Sequence, residues 1–259
     1  MNFARNKQYF VPPIMRMVMR IVGGAILGII LGMILYQVTD SESAGWVVGL
    51  LVFIGAVVWA VMKYKNARPT DEEIDAQAES LCQEMRGKAL EKLGVDEEQI
   101  NIAPALEFWN YSFEPEFNAD QEVGACLHIR GKDGCWRTCV VELHGIYFSE
   151  GGVHHYEKKV SLVSNSTKDT TDEYFYKDIV SVETETKAEK VKIVPFGAGL
   201  LGKILRRLRK AKDQVATANN EYFAIANSGG GRFGCSMRHP ERFEAAVNAM
   251  RALLREKKA

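Results

Sequence analysis

The residues best equipped for chemistry are the five cysteines and five histidines. Cys126, His128, Cys135 and Cys139 bracket the turn-like run Gly131-Lys132-Asp133-Gly134. A four-residue hairpin loop there sets Arg130 opposite Cys135, His128 opposite Arg137 and Cys126 opposite Cys139. Strand alternation then turns Cys126, His128, Cys135 and Cys139 to one side. Cys135 and Cys139 stand about 13 Å apart along a strand, too far to share an ion. Cys126, Cys139 and His128 remain as a face for a membrane-tethered enzyme or a metal or redox centre, but one that lacks a fourth ligand. The competing reading is free thiols on a core face, and it is the one favoured, since unpaired cysteine behaves as a small apolar residue.

Other groupings are weaker. Gly197-Ala198-Gly199-Leu200-Leu201-Gly202-Lys203 has the spacing of a phosphate-cradling loop, but Ile204 stands where a Ser or Thr hydroxyl is needed to hold magnesium. Gly229 to Gly234 repeats the glycine spacing between two strands and reads as a hairpin turn. His154, His155 and Glu157 read as a solvated strand start beside Gly151-Gly152. No catalysis, metal or cofactor is predicted. The residues with a binding chemistry are basic: Lys203, Arg206, Arg207, Arg209, Lys210 and Lys212 surround a leucine-rich stripe of Leu201, Ile204, Leu205 and Leu208. On a helix this arrangement suits an anionic lipid surface or, alternatively, the protein's own sheet.

What must position these groups is a pair of apolar runs. Ile21 to Thr39 and Ser43 to Met62 carry no charge, and about 20 residues at 1.5 Å rise matches a hydrocarbon core of about 30 Å. Only Asp40-Ser41-Glu42 separates them, so a two-helix membrane hairpin over 21–62 is expected. Gly24, Gly28 and Gly32 line one face of the first helix, and Gly45 and Gly49 one face of the second. Small residues let helices approach closely in lipid. The favoured use is packing within the hairpin; the other is a homo-oligomer.

Arg5, Lys7, Arg16, Arg20, Lys63, Lys65 and Arg68 flank the runs, and the turn between them has none. The positive-inside rule thus places both termini in the cytoplasm of a multi-pass cell-membrane protein. No disulfide is expected there. The formal charge of zero hides a cytoplasmic part of about −5, which gives no general appetite for nucleic acid.

Residues 1–20 read as a cytoplasmic tail and 69–94 as a linker helix ended by Gly94. From about residue 105 the apolar period becomes two. Strands are expected at 105–113, 123–130, 135–143, 146–149, 155–163, 173–182, 190–196, 222–227 and 232–237. Ser164 to Asp172 reads as a loop, 197–217 as a basic helical insertion, and the end as an amphipathic helix opening at Pro240 and burying Phe243, Val247, Met250 and Leu254.

Three stretches carry a family resemblance. Tyr174-Phe175-Tyr176-Lys177-Asp178-Ile179-Val180-Ser181-Val182-Glu183 resembles the aromatic strand and D-I-x-S-V-E run of bacterial pleckstrin-homology-like (PH-like) proteins. His144-Gly145-Ile146-Tyr147-Phe148 is similar to their early strand, and Arg238 through Leu254 to their final helix. The resemblance implies a cytoplasmic α+β domain over 105–259, an antiparallel barrel closed by a C-terminal helix. It also implies a binding module for a protein, peptide or lipid headgroup rather than a reaction.

Overall fold

The computed structural model describes residues 1–11, 14–39, 42–100, 102–113, 127–193, 214–237 and 244–258. The chain divides into two compact units, Asn2–Thr70 and the part from Asp71 onward.

The first unit is helical. α1 (Phe3–Phe10) opens on Asn2, whose side chain accepts from the Arg5 amide at 3.0 Å. The stretch expected as a tail is therefore partly ordered, and Arg68 holds it. Its Nη2 donates to the Tyr9 carbonyl at 3.0 Å, with the guanidinium over the Tyr9 ring. α2 (Ile14–Thr39) and α3 (Glu42–Ala67) pack side by side. Both are long and apolar enough to cross a membrane, with mean hydropathies of 2.3 and 2.4. Their large apolar side chains, among them Ile26, Ile30, Met33, Leu50 and Trp46, point outward. A helix pair that buries glycine and exposes leucine and isoleucine is matched to an apolar solvent.

The second unit starts with α4 (Asp71–Gln83) and α5 (Met85–Leu93), two helices where a single linker helix is expected; the chain breaks at Glu84. Gly94 ends α5 at φ 68°, the left-handed C-cap that glycine adopts without a Cβ clash.

A four-stranded antiparallel sheet follows. Its strands are β1 (Leu106–Tyr111), β4 (Val140–Phe148), β5 (Gly152–Ser161) and β6 (Thr167–Phe175), in the order β1-β4-β5-β6. β2 (His128–Arg130) and β3 (Trp136–Thr138) form a separate hairpin. A 3-10 turn at Tyr176–Asp178 leads into a second antiparallel sheet. It comprises β7 (Ile179–Ile193), β8 (Gln214–Asn227) and β9 (Arg232–Met237), in that order. Last comes α6 (Glu244–Lys258).

One core joins the two sheets and α6. Leu106, Phe108, Ile146, Phe148, Val153 and Tyr174 of the first sheet meet Ile179, Phe223, Ile225, Phe233 and Cys235, and Val247, Met250, Leu253 and Leu254 of α6 seal it. The expected burial of Val247, Met250 and Leu254 is observed; Phe243 lies outside the described residues.

Several expectations are corrected. The sheets are not closed into a barrel. Among the described residues β6 does not pair with β7, nor β1 with β9, and side chains fill these seams. Ser164 to Asp172 is not one loop, because β6 starts at Thr167; its polar side chains suit an exposed edge strand. Residues 135–149 do not form two strands parted at His144-Gly145, since β4 runs through both. Of the helical insertion at 197–217, residues 214–217 are strand, and 197–213 lie outside the described residues.

Candidate functional site

The first sheet is covered on both faces, so each strand's alternate residues have distinct surroundings. On the face toward α4 and α5, the Trp109 indole donates to Glu79 at 2.7 Å, and the Tyr111 hydroxyl donates to Asp75 at 2.7 Å. Arg86 bridges Glu97 and Glu107 at 2.7 and 3.1 Å. Arg137, only 1% exposed, donates to both oxygens of Asp75 and of Asp133 at 2.7 to 2.9 Å, with Asp71 at 3.9 Å. This network holds α4 against the β2–β3 hairpin.

The opposite face looks toward the second sheet, and its rungs grade from apolar to charged. Register places Phe148, Val153 and Tyr174 together, then Leu106, Ile146, His155 and Asp172, then Phe108, His144, Glu157 and Thr170, then Asn110, Glu142, Lys159 and Lys168. The first rung is apolar core. The other three carry a continuous polar chain.

Asp172 Oδ2 lies 3.0 Å from His155 Nδ1, and His155 Nε2 lies 3.3 Å from His144 Nδ1. His144 Nε2 faces Glu142 Oε2 at 3.9 Å, beyond hydrogen-bond reach, while Lys159 Nζ pairs with Glu142 at 2.9 Å and Glu157 at 3.3 Å. The Phe233 ring of β9 sits on His155 with centroids 3.6 Å apart, and Phe108 stacks on His144 at 5.3 Å.

Burial sets the protonation of this chain. It pushes His155 down to about 4, against the opposing pull of Asp172. Burial works to raise Glu142, but the Lys159 ammonium at 2.9 Å helps to hold its carboxyl below the usual carboxylate range. The hydrogen bond from His155 holds Asp172 below the usual carboxylate range. Burial pushes the Cys235 thiol well up, which keeps it protonated and unreactive.

Of His154, His155 and Glu157, expected as a solvated strand start, both histidines are buried. His155 is 1% exposed and His154 7%. The available signal was alternation: Glu142, His144, Ile146 and Phe148 share one side of β4, and His155, Glu157 and Lys159 one side of β5.

Of the alternative Cys126/Cys139/His128 face, the two described residues, Cys139 and His128, are not brought together. The β2–β3 loop carries one residue more than expected, so His128 pairs with Thr138 and Arg130 with Trp136. Gly134, at φ 81°, takes the left-handed position that the longer loop requires. Cys139 sits at the bend before β4, its sulfur accepting from the Leu127 amide at 3.2 Å, whereas His128 lies against Trp136. Cys126 is outside the described residues. Cys82, Cys135, Cys139 and Cys235 are free thiols, and among the described residues no group of His, Cys, Asp and Glu could hold a metal ion.

The glycines do meet within the hairpin. A Cβ on Gly28 would lie 2.7 Å from the Gly49 carbonyl oxygen, and one on Gly32 2.9 Å from that of Gly45; Gly24 abuts Ala56. The basic residues Lys203, Arg206, Arg207, Arg209, Lys210 and Lys212 lie outside the described residues.

A second feature is open rather than buried. A groove of about 300 Å³ runs between β7 and α6, lined by Ile179, Val180, Ser181, Val182, Arg251, Leu254 and Arg255. Among the described strands β7 has β8 as its neighbour.

No family model, curated protein or solved structure matches the chain.

Proposed function

We propose that the protein is a membrane-anchored binding module, with a PH-like domain at the cytoplasmic face that takes an extended peptide along the start of β7, at Val180 to Val182, on the side away from β8. The observation that carries this reading is where the edge is guarded. Charged residues discourage unwanted pairing on an edge strand, and beyond Val182 the described part of β7 carries Glu183 and Glu185, both paired with Arg232 of β9. The first residues of β7, Val180 to Val182, carry no charge, and Val180 is 61% exposed at the groove. Strand addition supplies main-chain hydrogen bonds, and the adjoining groove reads side chains. Arg251 and Arg255 on the α6 wall fit a peptide with an acidic side chain or a terminal carboxylate.

Support for the PH-like assignment is the four-plus-three strand arrangement sealed by α6. Support for the orientation is the basic flanks of the apolar helices. A cysteine reporter at Ser41 should label from outside intact cells and one at Ser166 should not; the reverse result inverts the topology. The basic run at 203–212 would add attraction to anionic lipid beside the anchor.

The binding test is selection from a random dodecapeptide library on the full chain in lipid nanodiscs. Selected peptides should be acidic and should protect β7 amides from hydrogen exchange. Arg251→Glu plus Arg255→Glu should weaken them at least about tenfold, equivalent to about 1.4 kcal/mol. Val180 sits at a β-bulge, so Val180→Pro should leave the β7–β8 ladder intact and abolish binding. Peptides that bind the Val180→Pro protein equally well would reject the reading.

A further inference from the structure

We propose that Asp172, His155, His144 and Glu142 form a one-proton relay that acts as an acid-sensitive latch between the two sheets. The inference follows from counting donors. An ionised carboxylate only accepts, so Asp172 requires the proton of His155 on Nδ1. His155 Nε2 then carries a lone pair, and the 3.3 Å contact requires a proton on His144 Nδ1. His144 Nε2 is therefore bare, and it faces a second carboxylate, Glu142, at 3.9 Å. This nitrogen is fully buried and has no hydrogen-bond partner. The chain thus holds one empty proton position, at its inner end.

A proton entering there makes an imidazolium between Glu142 and His155, and every nitrogen of the relay is then used. Among the relay nitrogens a second proton has only His155 Nε2 to go to. It would set N–H against N–H across the His144–His155 contact, on a ring pressed against Phe233. The contact between β5 and β9 must open to admit it.

The groups facing the relay do not relieve this. β1 contributes Phe108 and Asn110, neither of which titrates. β4 and β5 contribute Glu142, Glu157 and Lys159, already joined to one another. β6 adds Asp172 and Tyr174, and β9 adds Phe233 and the protonated Cys235 thiol. Water reaches the chain at Asp172, whose side chain is 40% exposed; because both N–H bonds point toward it, a proton gained at His144 Nε2 is passed outward, His144 Nδ1–H to His155 Nε2 and His155 Nδ1–H to Asp172.

The test is ¹⁵N-histidine labelling of the full chain in lipid nanodiscs, where only five histidines report. At neutral pH His144 should be the Nδ1–H tautomer. In Asp172→Asn the amide serves either direction, and only the reversed chain gives Glu142 a proton from His144 Nε2. The variant should therefore flip His144 to the Nε2–H tautomer, two links from the substitution. Hydrogen exchange supplies the latch readout. After correction for intrinsic rates, protection of the Phe233 and Cys235 amides should fall about tenfold on acidification from pH 7 to about pH 4. It should stay constant in His155→Gln. An Nε2–H tautomer of His144 in the unaltered protein, no flip in Asp172→Asn, or β9 protection independent of pH would each overturn the proposal.

Discussion

Replacing Arg137 by alanine should destabilise the domain far more than a surface ion pair would. The guanidinium is 1% exposed and donates through Nε and Nη2 to Asp75 and through Nη1 and Nη2 to Asp133, at 2.7 to 2.9 Å. Truncation leaves three carboxylates facing one another without a counter-charge. Asp71 and Asp75 keep other donors, the Lys132 amide and the Tyr111 hydroxyl, each at 2.7 Å. Those donors do not offset the repulsion. Removing one member of a fully buried pair costs about 3–5 kcal/mol. Asp75 and Asp133 are 25% and 42% exposed, so water recovers part of that, and the expected loss is about 3 kcal/mol.

For a domain of this length that loss lowers the melting temperature by about 8 °C. The assay is thermal unfolding of the full chain followed through the domain's near-ultraviolet signal. Adding Asp75→Asn to Arg137→Ala should recover about 1 kcal/mol, because it removes one of the stranded charges. The loss should also barely depend on salt, since a buried pair is weakly screened. A loss below about 1 kcal/mol, or a double variant less stable than Arg137→Ala alone, would refute the claim that this arginine holds α4 to the hairpin.

Three further outcomes are expected. Gly28→Leu should destabilise the α2–α3 pair by about 1–3 kcal/mol, because a Cβ there meets the Gly49 carbonyl at 2.7 Å; Gly23→Leu, with open space around it, should not, as detergent melting would report. His155 has a folded value of about 4 against 6.5 unfolded, so the unfolded chain binds the proton first. Stability should then fall by about 3 kcal/mol as pH drops from about 6.5 to about 4, and denaturant titrations of His155→Gln should lack that slope. Fragment 69–259 should bind anionic vesicles more tightly than neutral ones, and Arg206→Glu plus Arg207→Glu should weaken that binding about 30-fold in flotation.

The sequence was legible where a pattern is long and local. Two uncharged runs of membrane length define α2 and α3, and glycines four apart mark the side on which they meet. Val247, Met250 and Leu254 keep helical spacing, and they are the residues α6 buries. What failed depended on partners distant in the chain. Gly145 looked like a break inside β4, yet β1 and β5 pair on both sides and carry the strand through it. The β2–β3 register turned on one residue of loop length, and a slip of one residue reassigns every side chain to the other face. That single step puts His128 and Cys139 on different faces. The histidine relay was invisible for a related reason. Hydrophilic residues next to Gly-Gly look solvated until a second sheet, about 80 residues later in the chain, brings Phe233 onto His155.

The same covering of surfaces narrows where a partner can dock on the described part of the domain. α4 and α5 occupy one face of the first sheet, with Trp109, Tyr111 and Arg137 committed to Glu79, Asp75 and Asp133. The second sheet and α6 occupy the other, down to the polar end where Phe233 closes on the histidines. Among the described strands two long ones end a sheet, β6 and β7. β6 exposes Thr167, Lys168, Asp169 and Glu173 along its length, side chains that keep an edge hydrated and unpaired. β7 is guarded only beyond Val182, and its unguarded start lies beside the one apolar residue of α6, Leu254, that also lines the groove. An incoming strand there gains main-chain bonds and apolar contact together, with Arg251 and Arg255 beside it. On β6 the apolar contact would be limited to Phe175 at one end, and the rest would displace water from charged side chains. That difference is why the proposed partner is assigned to β7, and why a proline at Val180 is the decisive substitution.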